Sequence, residues 1–487
     1  SADLVALRGQ AGGPLWKGAS LLLAGRGVHG ATLARLEGQP FPYAYQDALA
    51  RVDVGLGRGV SLAATGFANA EGVRIDTTPW RDNFLRWSND AGSVRLRGTV
   101  TGARGELTGA VSDFDAWLPN AADRYVIQSH LRRARVAVDF TRSVGEVRLG
   151  YGYAFDRMWA HHRVLDRREG ERVWFTRDTL ATVRGWYLDG LWTAGRQWVL
   201  RGGLRGDNYT GGPFLSFSPR LSATWLMGSR AALTLAGGRY HQLVLARTRP
   251  PFDYGVVDVA DSLGIPTVPV VASANHLTLA LDQEVVQGVR LGLEGYWKHF
   301  QDIPDPDQVG NYASGVDVWV RRGEGAVRGW MGYSLAWYWR GRETSGDTAR
   351  FSGRQTLTAG VTAQGRAGRV ELRVAYGAGL PYSPLGTPGE AVENVNAPGT
   401  IELQEGAAVG DVTGPAPQDF LRIDGQVSRT FTPRIASRET ELTPYVRVIN
   451  ALDRRDALFY RYHPGDQEAR PVATLPLLPV FGLEWKF

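Results

Sequence analysis

The chain has 487 residues with no cysteine, 61 glycines, 16 tryptophans and 18 tyrosines, and its 55 basic against 49 acidic residues give a formal charge of +6. The lack of cysteine excludes disulfides and thiol-ligated metals, and basic residues scattered among acidic ones exclude a nucleic-acid interface. Apolar runs are only a few residues long, far below the roughly 18 a membrane-spanning helix needs, so any span of a membrane must be β.

Ser1-Ala2-Asp3 lacks the basic and then apolar lead of a signal peptide, so the numbering is expected to begin after processing or at a cut. No composition change divides the chain, and one architecture is expected over residues 1–487. Asp3 to Arg8 reads as a first strand running into a short turn at Gly12-Gly13-Pro14. From Val94 to Thr101 one alternate set is Arg95, Arg97, Thr99 and Thr101, and the other is Val94, Leu96, Gly98 and Val100. From Glu146 to Asp156, Val147, Leu149, Tyr151, Tyr153 and Phe155 alternate with Glu146, Arg148, three small residues and Asp156. Val289, Leu291 and Leu293 alternate with Arg290, Gly292 and Glu294, and Val370, Leu372 and Val374 with Glu371, Arg373 and Ala375. Side chains with period 2 face opposite sides of a strand, and lipid on one side with water on the other is the demand of a transmembrane barrel. A soluble sandwich alternates too, but its strands average about five or six residues, whereas these reach ten or more.

Connections also alternate in length. Short turns fall at Gly57-Arg58-Gly59, 102–105, 143–145, 194–196, 228–230, 286–288, 323–325, 366–368 and around Thr432-Pro433. Between them lie long polar stretches near 29–45, 71–87, 118–124, 159–175, 207–213, 243–274, 302–311, 341–350, 379–418 and 452–478. Short turns belong to the periplasmic end and long loops to the extracellular end of an outer-membrane barrel. The count is about 21 strands, an odd number, with the chain entering from the extracellular side. Either one strand escapes the count or the first is supplied from upstream, and the second reading is preferred. Phe481, Leu483, Trp485 and Phe487 alternate with Gly482, Glu484 and Lys486 and close the chain on an aromatic residue, the form of a barrel-assembly signal.

Several stretches resemble one family in order and spacing. They are Gly18 to Arg26, Pro42-Tyr43-Ala44-Tyr45-Gln46-Asp47, Leu85 to Arg95, Gly379-Leu380-Pro381-Tyr382-Ser383-Pro384, Val446 to Arg455 and Pro479 to Phe487. Together they resemble the TonB-dependent outer-membrane receptors over nearly the whole length. The resemblance implies an all-β fold, a transmembrane antiparallel β-barrel of the 22-strand type, and uptake of a scarce nutrient such as a metal chelate, saccharide or peptide. It also implies a plug domain, which residues 1–487 do not carry. The plug and the missing first strand are expected on a separate or cleaved polypeptide, through which TonB would act.

The remaining expectations follow from that picture. Arg95, Arg97, Glu146, Arg148 and Asp156 in the first half, and Arg290, Glu294, Arg373, Arg422 and Asp424 in the second, are expected to line the lumen, either to meet a plug or simply to keep it wet. Ligand contacts are placed on Trp80, Arg81, Trp159, Tyr209, Tyr254 and Tyr382, since flat rings and guanidinium groups suit polar ligands in a wet funnel. The competing role for these rings is an interfacial aromatic girdle. His161-His162 is a weak metal candidate, because adjacent residues of an extended segment point apart. No cofactor is expected. The expected partners are outer-membrane lipid, the plug-bearing polypeptide, TonB, the barrel-assembly machinery and an extracellular lipoprotein lid. No nucleophile and base pattern indicates an enzyme. A plugless passive pore and a structural or adhesive barrel are the alternatives.

Overall fold

The fold is that of a computed structural model. It describes the chain except residues 1, 4, 29–42, 75–83, 120–124, 167–171, 211–214, 247–267, 302–310, 341–350, 379–383, 386–390, 394–400, 404–418, 436–437, 455, 457–458, 462–469 and 473–475. The first half of the barrel is β1 (Ala2–Asp3), β2 (Ala6–Trp16), β3 (Ala19–Val28), β4 (Tyr43–Gly57), β5 (Val60–Arg74), β6 (Phe84–Val100), β7 (Ala103–Pro119), β8 (Tyr125–Val144), β9 (Val147–Asp166), β10 (Arg172–Ala194) and β11 (Trp198–Tyr209). The second half is β12 (Ser216–Met227), β13 (Ala231–Ala246), β14 (Val268–Val286), β15 (Val289–Gln301), β16 (Asn311–Arg322), β17 (Val327–Arg340), β18 (Phe351–Gly365), β19 (Gly368–Ala378), β20 (Phe420–Ser428), β21 (Glu441–Ile449) and β22 (Leu478–Lys486). All 22 lie in one sheet, each pairs antiparallel with its sequence neighbour, and β1 also pairs with β22 to close the ring.

Short turns occur where a tight reversal needs a left-handed backbone, as at Gly57 (φ 85), Arg58 (φ 48) and Gly59 (φ 76). The turn expected at Gly12-Gly13-Pro14 is not there: these residues are extended within β2, and the chain reverses at Lys17-Gly18, with Gly18 at φ 89. Two adjacent glycines permit a turn without requiring one, and the ladder from Gly12↔Leu22 to Pro14↔Ser20 holds them straight. The loop expected at 159–175 is mostly strand, since β9 and β10 pair up to Asp166↔Arg172. Most of the other expected long loops fall outside the described residues.

The strand that completes the count of 22 is the two-residue β1. Ala2 pairs with Leu7 on one side and Leu483 on the other, and Asp3 pairs with Gly482. Asp3 anchors it, accepting the backbone N–H groups of Val5 (2.9 Å) and Ala6 (2.7 Å) and the Tyr445 hydroxyl (2.7 Å). Tyr445, Leu478 and Val480 are buried beside this seam with Val5, Val28 and Ile449 against them. Below β1, no strand among the described residues lies between Gly9–Trp16 of β2 and the lower end of β22.

Cross-strand partners share a face, so register sorts every strand into an inner and an outer set. The outer set is apolar near the turns: Val94 and Leu96 on β6, Leu107 and Val111 on β7, Leu188 and Trp192 on β10 are all exposed. On four strands the first outward charge comes ten residues above the turn end: Asp90 on β6, Asp113 on β7, Arg157 on β9 and Arg184 on β10. Ten residues at roughly 3.3 Å each on a strand tilted about 40° climb about 25 Å, the height of a barrel's apolar band. Near its lower margin Trp198 stacks on Trp225 with centroids 6.2 Å apart, and higher up His299 stacks on Tyr312 at 4.6 Å with Trp297 tilted against both. These are two aromatic girdles, and the chain is a transmembrane barrel of the outer-membrane type.

Candidate functional site on the lumenal wall

The inner set is polar and cross-linked between strands. Register places Arg95, Arg97, Arg148, Asp156, Arg290, Glu294, Arg373, Arg422 and Asp424 on it. Glu146 differs: it sits in the turn between β8 and β9, where its carboxylate accepts the Trp192 indole N–H at 3.3 Å. Alternation alone extended the inner set one step into a reversal, where the period-2 rule no longer applies.

Guanidinium groups outnumber carboxylates in several of these clusters. Glu106 accepts a hydrogen bond from Arg97 (2.6 Å) and lies in an ion pair with Arg95 (3.0 Å). Asp156, only 7% exposed at its side chain, lies between Arg133 (2.7 Å) and Arg135 (2.8 Å). One carboxylate against two arginines leaves a net positive charge in each. Glu371 is likewise shared by Arg369 (2.7 Å) and Arg373 (3.9 Å), whereas Arg205 pairs with Asp207 at 2.7 Å, Arg201 with Asp189 at 2.8 Å, Arg422 with Asp424 at 2.9 Å, and Arg290 with Asp282. Glu294 lies level with Asp317, to which the Ser334 hydroxyl donates at 2.5 Å.

Tyrosines reach across whole strands where glycine leaves room. The Tyr187 ring on β10 crosses β9 above Gly152, where a Cβ would come within 2.6 Å of it, and its hydroxyl donates to Asp139 on β8 at 2.6 Å. Tyr209 lies on the inner face of β11 level with Val183, buried at 6% and next but one to Asp207.

A recess of about 390 Å³ opens on this wall between β10 and β14. Its charged lining is Asp189, Arg201, Arg205 and Arg220, with Tyr240 and His276 at its far side. The Arg220 guanidinium lies 4.3 Å over the Tyr240 ring, which in turn stacks on His276 at 4.4 Å. Among the described residues no carboxylate pairs with Arg220 in an ion pair. A guanidinium held over an aromatic face with its edge open to water is suited to bind carboxylate or phosphate groups.

The expected ligand contacts separate. Trp80, Arg81, Tyr254 and Tyr382 lie outside the described residues. Trp159 belongs to the outer set of β9, level with Arg132 and Leu180, with Arg157 5.0 Å over its ring. It therefore stands in the upper girdle, not in the mouth, because β9 continues as strand through the stretch read as a loop. His161 and His162 diverge as adjacent strand residues must: His161 points outward to Asp178 (2.7 Å), and His162 inward to Ser129 (2.9 Å). Among the described residues no three His, Asp or Glu side chains group as metal ligands. The Arg220, Tyr240 and His276 group escaped the sequence reading; only the alternation of Ser218, Arg220, Ser222 and Thr224 hinted at a polar inner face there. At the C-terminus, Phe481, Leu483 and Trp485 lie on the outer face of β22, and Phe487 follows with its ring 5.3 Å from Trp485.

No family model matches the chain, and no curated protein matches its sequence. Solved structures do match its fold. The ferric citrate transporter FecA in its unliganded form aligns with TM-score 0.67 at 12% identity, covering 99% of this chain and 78% of that one. The siderophore receptor PirA from Pseudomonas aeruginosa aligns with TM-score 0.60 at 11% identity, covering 99% and 76%. The outer membrane transporter YddB from Escherichia coli aligns with TM-score 0.61 at 10% identity, covering 99% and 75%. The 22-strand barrel implied by the resemblance to TonB-dependent receptors is thus the barrel observed, and this chain has the fold of the outer-membrane siderophore and metal receptors.

Proposed function

We propose that this barrel is the wall and mouth of an energy-coupled outer-membrane receptor that takes up a scarce, anionic nutrient such as a metal chelate. The observation that carries the reading is the inner wall, where arginines exceed their carboxylate partners around Glu106 and Asp156 and where Arg220 presents its guanidinium to the recess over Tyr240. A positive, water-filled funnel concentrates anions and raises their rate of entry. Trp80, Arg81, Tyr254 and Tyr382 would make further contacts at the mouth, and Tyr209 in the lumen.

A 22-strand ring is wide enough to need filling. In this reading the plug comes from polypeptide outside residues 1–487, on the same precursor or on another chain, and TonB acts through it. Arg95, Arg97, Arg148, Arg373 and Arg422 would face the plug, and a lipoprotein lid would cover the mouth.

Mass spectrometry of the natively extracted complex tests the proposal. A companion of plug size is expected, and conductance of the complex in planar bilayers should be far below that of this chain alone. A wide, constitutively open pore composed only of residues 1–487 would replace the receptor with a passive channel.

A further inference from the structure

One row of the inner wall carries a cation at each end. Register sets Arg220 on β12, Gly238 on β13, His276 on β14 and Lys298 on β15 level with one another on the lumenal face. Arg220 stands seven residues above the turn end of β12 at Met227, and Lys298 nine above the start of β15 at Val289. The row therefore lies about 20 Å up the wall, deep in the lumen and below the mouth.

Each cation rests on a tyrosine ring, and a glycine makes room for each arrangement. The Arg220 side chain crosses β13 over the bare backbone of Gly238, where a Cβ would come within 2.9 Å of its Cγ, and its guanidinium reaches the Tyr240 ring at 4.3 Å. His276 stacks on the same ring at 4.4 Å with an interplanar angle of 28°. Two groups this close to one ring must take its opposite faces, so guanidinium, phenol and imidazole form a stack along the wall and the two rings turn their edges to the lumen. At the other end the Lys298 ammonium lies 4.7 Å over the Tyr296 ring, which itself crosses β16 above Gly315.

Among the described residues neither Arg220 nor Lys298 makes an ion pair, and the carboxylates of the adjoining recess, Asp189 and Asp207, are engaged by Arg201 (2.8 Å) and Arg205 (2.7 Å). The Tyr240 and His276 rings keep the two cations two to three strand spacings apart, roughly 10–14 Å. At that distance both cannot touch one carboxylate. They suit a molecule with an anionic group at each end, and the ring edges between them suit a flat unsaturated spacer, because edge-to-face contact is a favoured geometry.

We infer that the row from Arg220 to Lys298 is a deep subsite for an elongated dianion with a planar spacer, one carboxylate at Arg220 and the other at Lys298. The inference rests on the reading of the lumen as an anion path and adds the shape of what is bound: charge at two ends, set at a fixed distance.

The test is isothermal titration calorimetry of the natively extracted protein in detergent with three soluble probes. These are trans,trans-muconate, a flat conjugated chain with a carboxylate at each end; sorbate, the same chain with a carboxylate at one end only; and maleate, a dianion too short to span the row. Muconate should bind about tenfold more tightly than sorbate, and maleate no more tightly than sorbate. Lys298→Gln should bring muconate down to the affinity of sorbate and leave sorbate unchanged, whereas Arg220→Gln should weaken both about tenfold. Folding of each variant is checked by heat-modifiable mobility, and either variant alone keeps the test decisive. Equal affinity for muconate and sorbate, equal affinity for muconate and maleate, or wild-type muconate affinity in Lys298→Gln would overturn the inference. Because binding is read directly, that failure is distinct from failure of the receptor reading, which falls with a wide, constitutively open pore and no companion polypeptide.

Discussion

The Tyr187 hydroxyl donates to Asp139 at 2.6 Å over the bare backbone of Gly152, tying β10 to β8 across the strand between them. A hydrogen bond to a charged acceptor contributes about 1.5–3 kcal/mol, and it depends here on a missing side chain. Gly152→Val should push the ring aside, since even a Cβ would approach Tyr187 to 2.6 Å and Asp139 to 2.9 Å. The barrel should lose about 2–3 kcal/mol in a urea titration in lipid vesicles, with Tyr187→Phe losing about half as much. Equal stability of Gly152→Val and wild type would show that the bridge contributes nothing.

Orientation of the wall predicts opposite results for adjacent residues. Leu221, 71% exposed on the outer face of β12, sits six residues above the turn end at Met227, near the middle of the apolar band. Leu221→Arg should cost about 2–4 kcal/mol. Ser222→Arg, on the lumenal side, should cost little. The same urea titration distinguishes them, and the reverse order would invert the assignment of inside and outside.

Lumenal charge should set ion preference. In a planar bilayer with a salt gradient, this chain alone is expected to prefer anions. Arg220→Glu or Arg133→Glu should lower the anion-to-cation permeability ratio roughly twofold at 0.1 M salt. The difference should fade near 1 M, where the Debye length falls to about 3 Å. A reversal potential unmoved by either variant would place these groups away from the conducting path.

Because the chain has no cysteine, single introduced thiols report sidedness without background. Thr176 on β10 is 18 residues above the turn end at Ala194, about 45 Å up the wall. Thr176→Cys should react with a membrane-impermeant maleimide on intact cells, and Ser229→Cys in the turn between β12 and β13 should react only after the outer membrane is opened. Labelling of Ser229→Cys on intact cells would turn the barrel over.

Alternation along single strands carried most of the fold. Val94 to Thr101, Glu146 to Asp156 and Val370 to Tyr376 each display both faces within a few residues, because the period of a strand is local. Gly57-Arg58-Gly59 marked its turn for a local reason as well, since only a left-handed backbone closes it. Failures came where context overrides local preference. Gly12-Gly13-Pro14 is held extended by β3, Glu146 lies where alternation stops, and Trp159 stays in strand because β8 and β10 pair with β9 on both sides.

The sequence by itself thus determined that the protein is an all-β membrane barrel, which side of each strand meets lipid, and where most short turns fall. Only the tertiary structure decided which side chains meet. Asp156 between Arg133 and Arg135 joins residues more than twenty apart, and Tyr187 meets Asp139 only across Gly152. Those coincidences depend on the register between strands. Register is set by turn geometry and by closure of the whole ring, and a shift of one residue in any pair would exchange inner and outer faces for every strand beyond it.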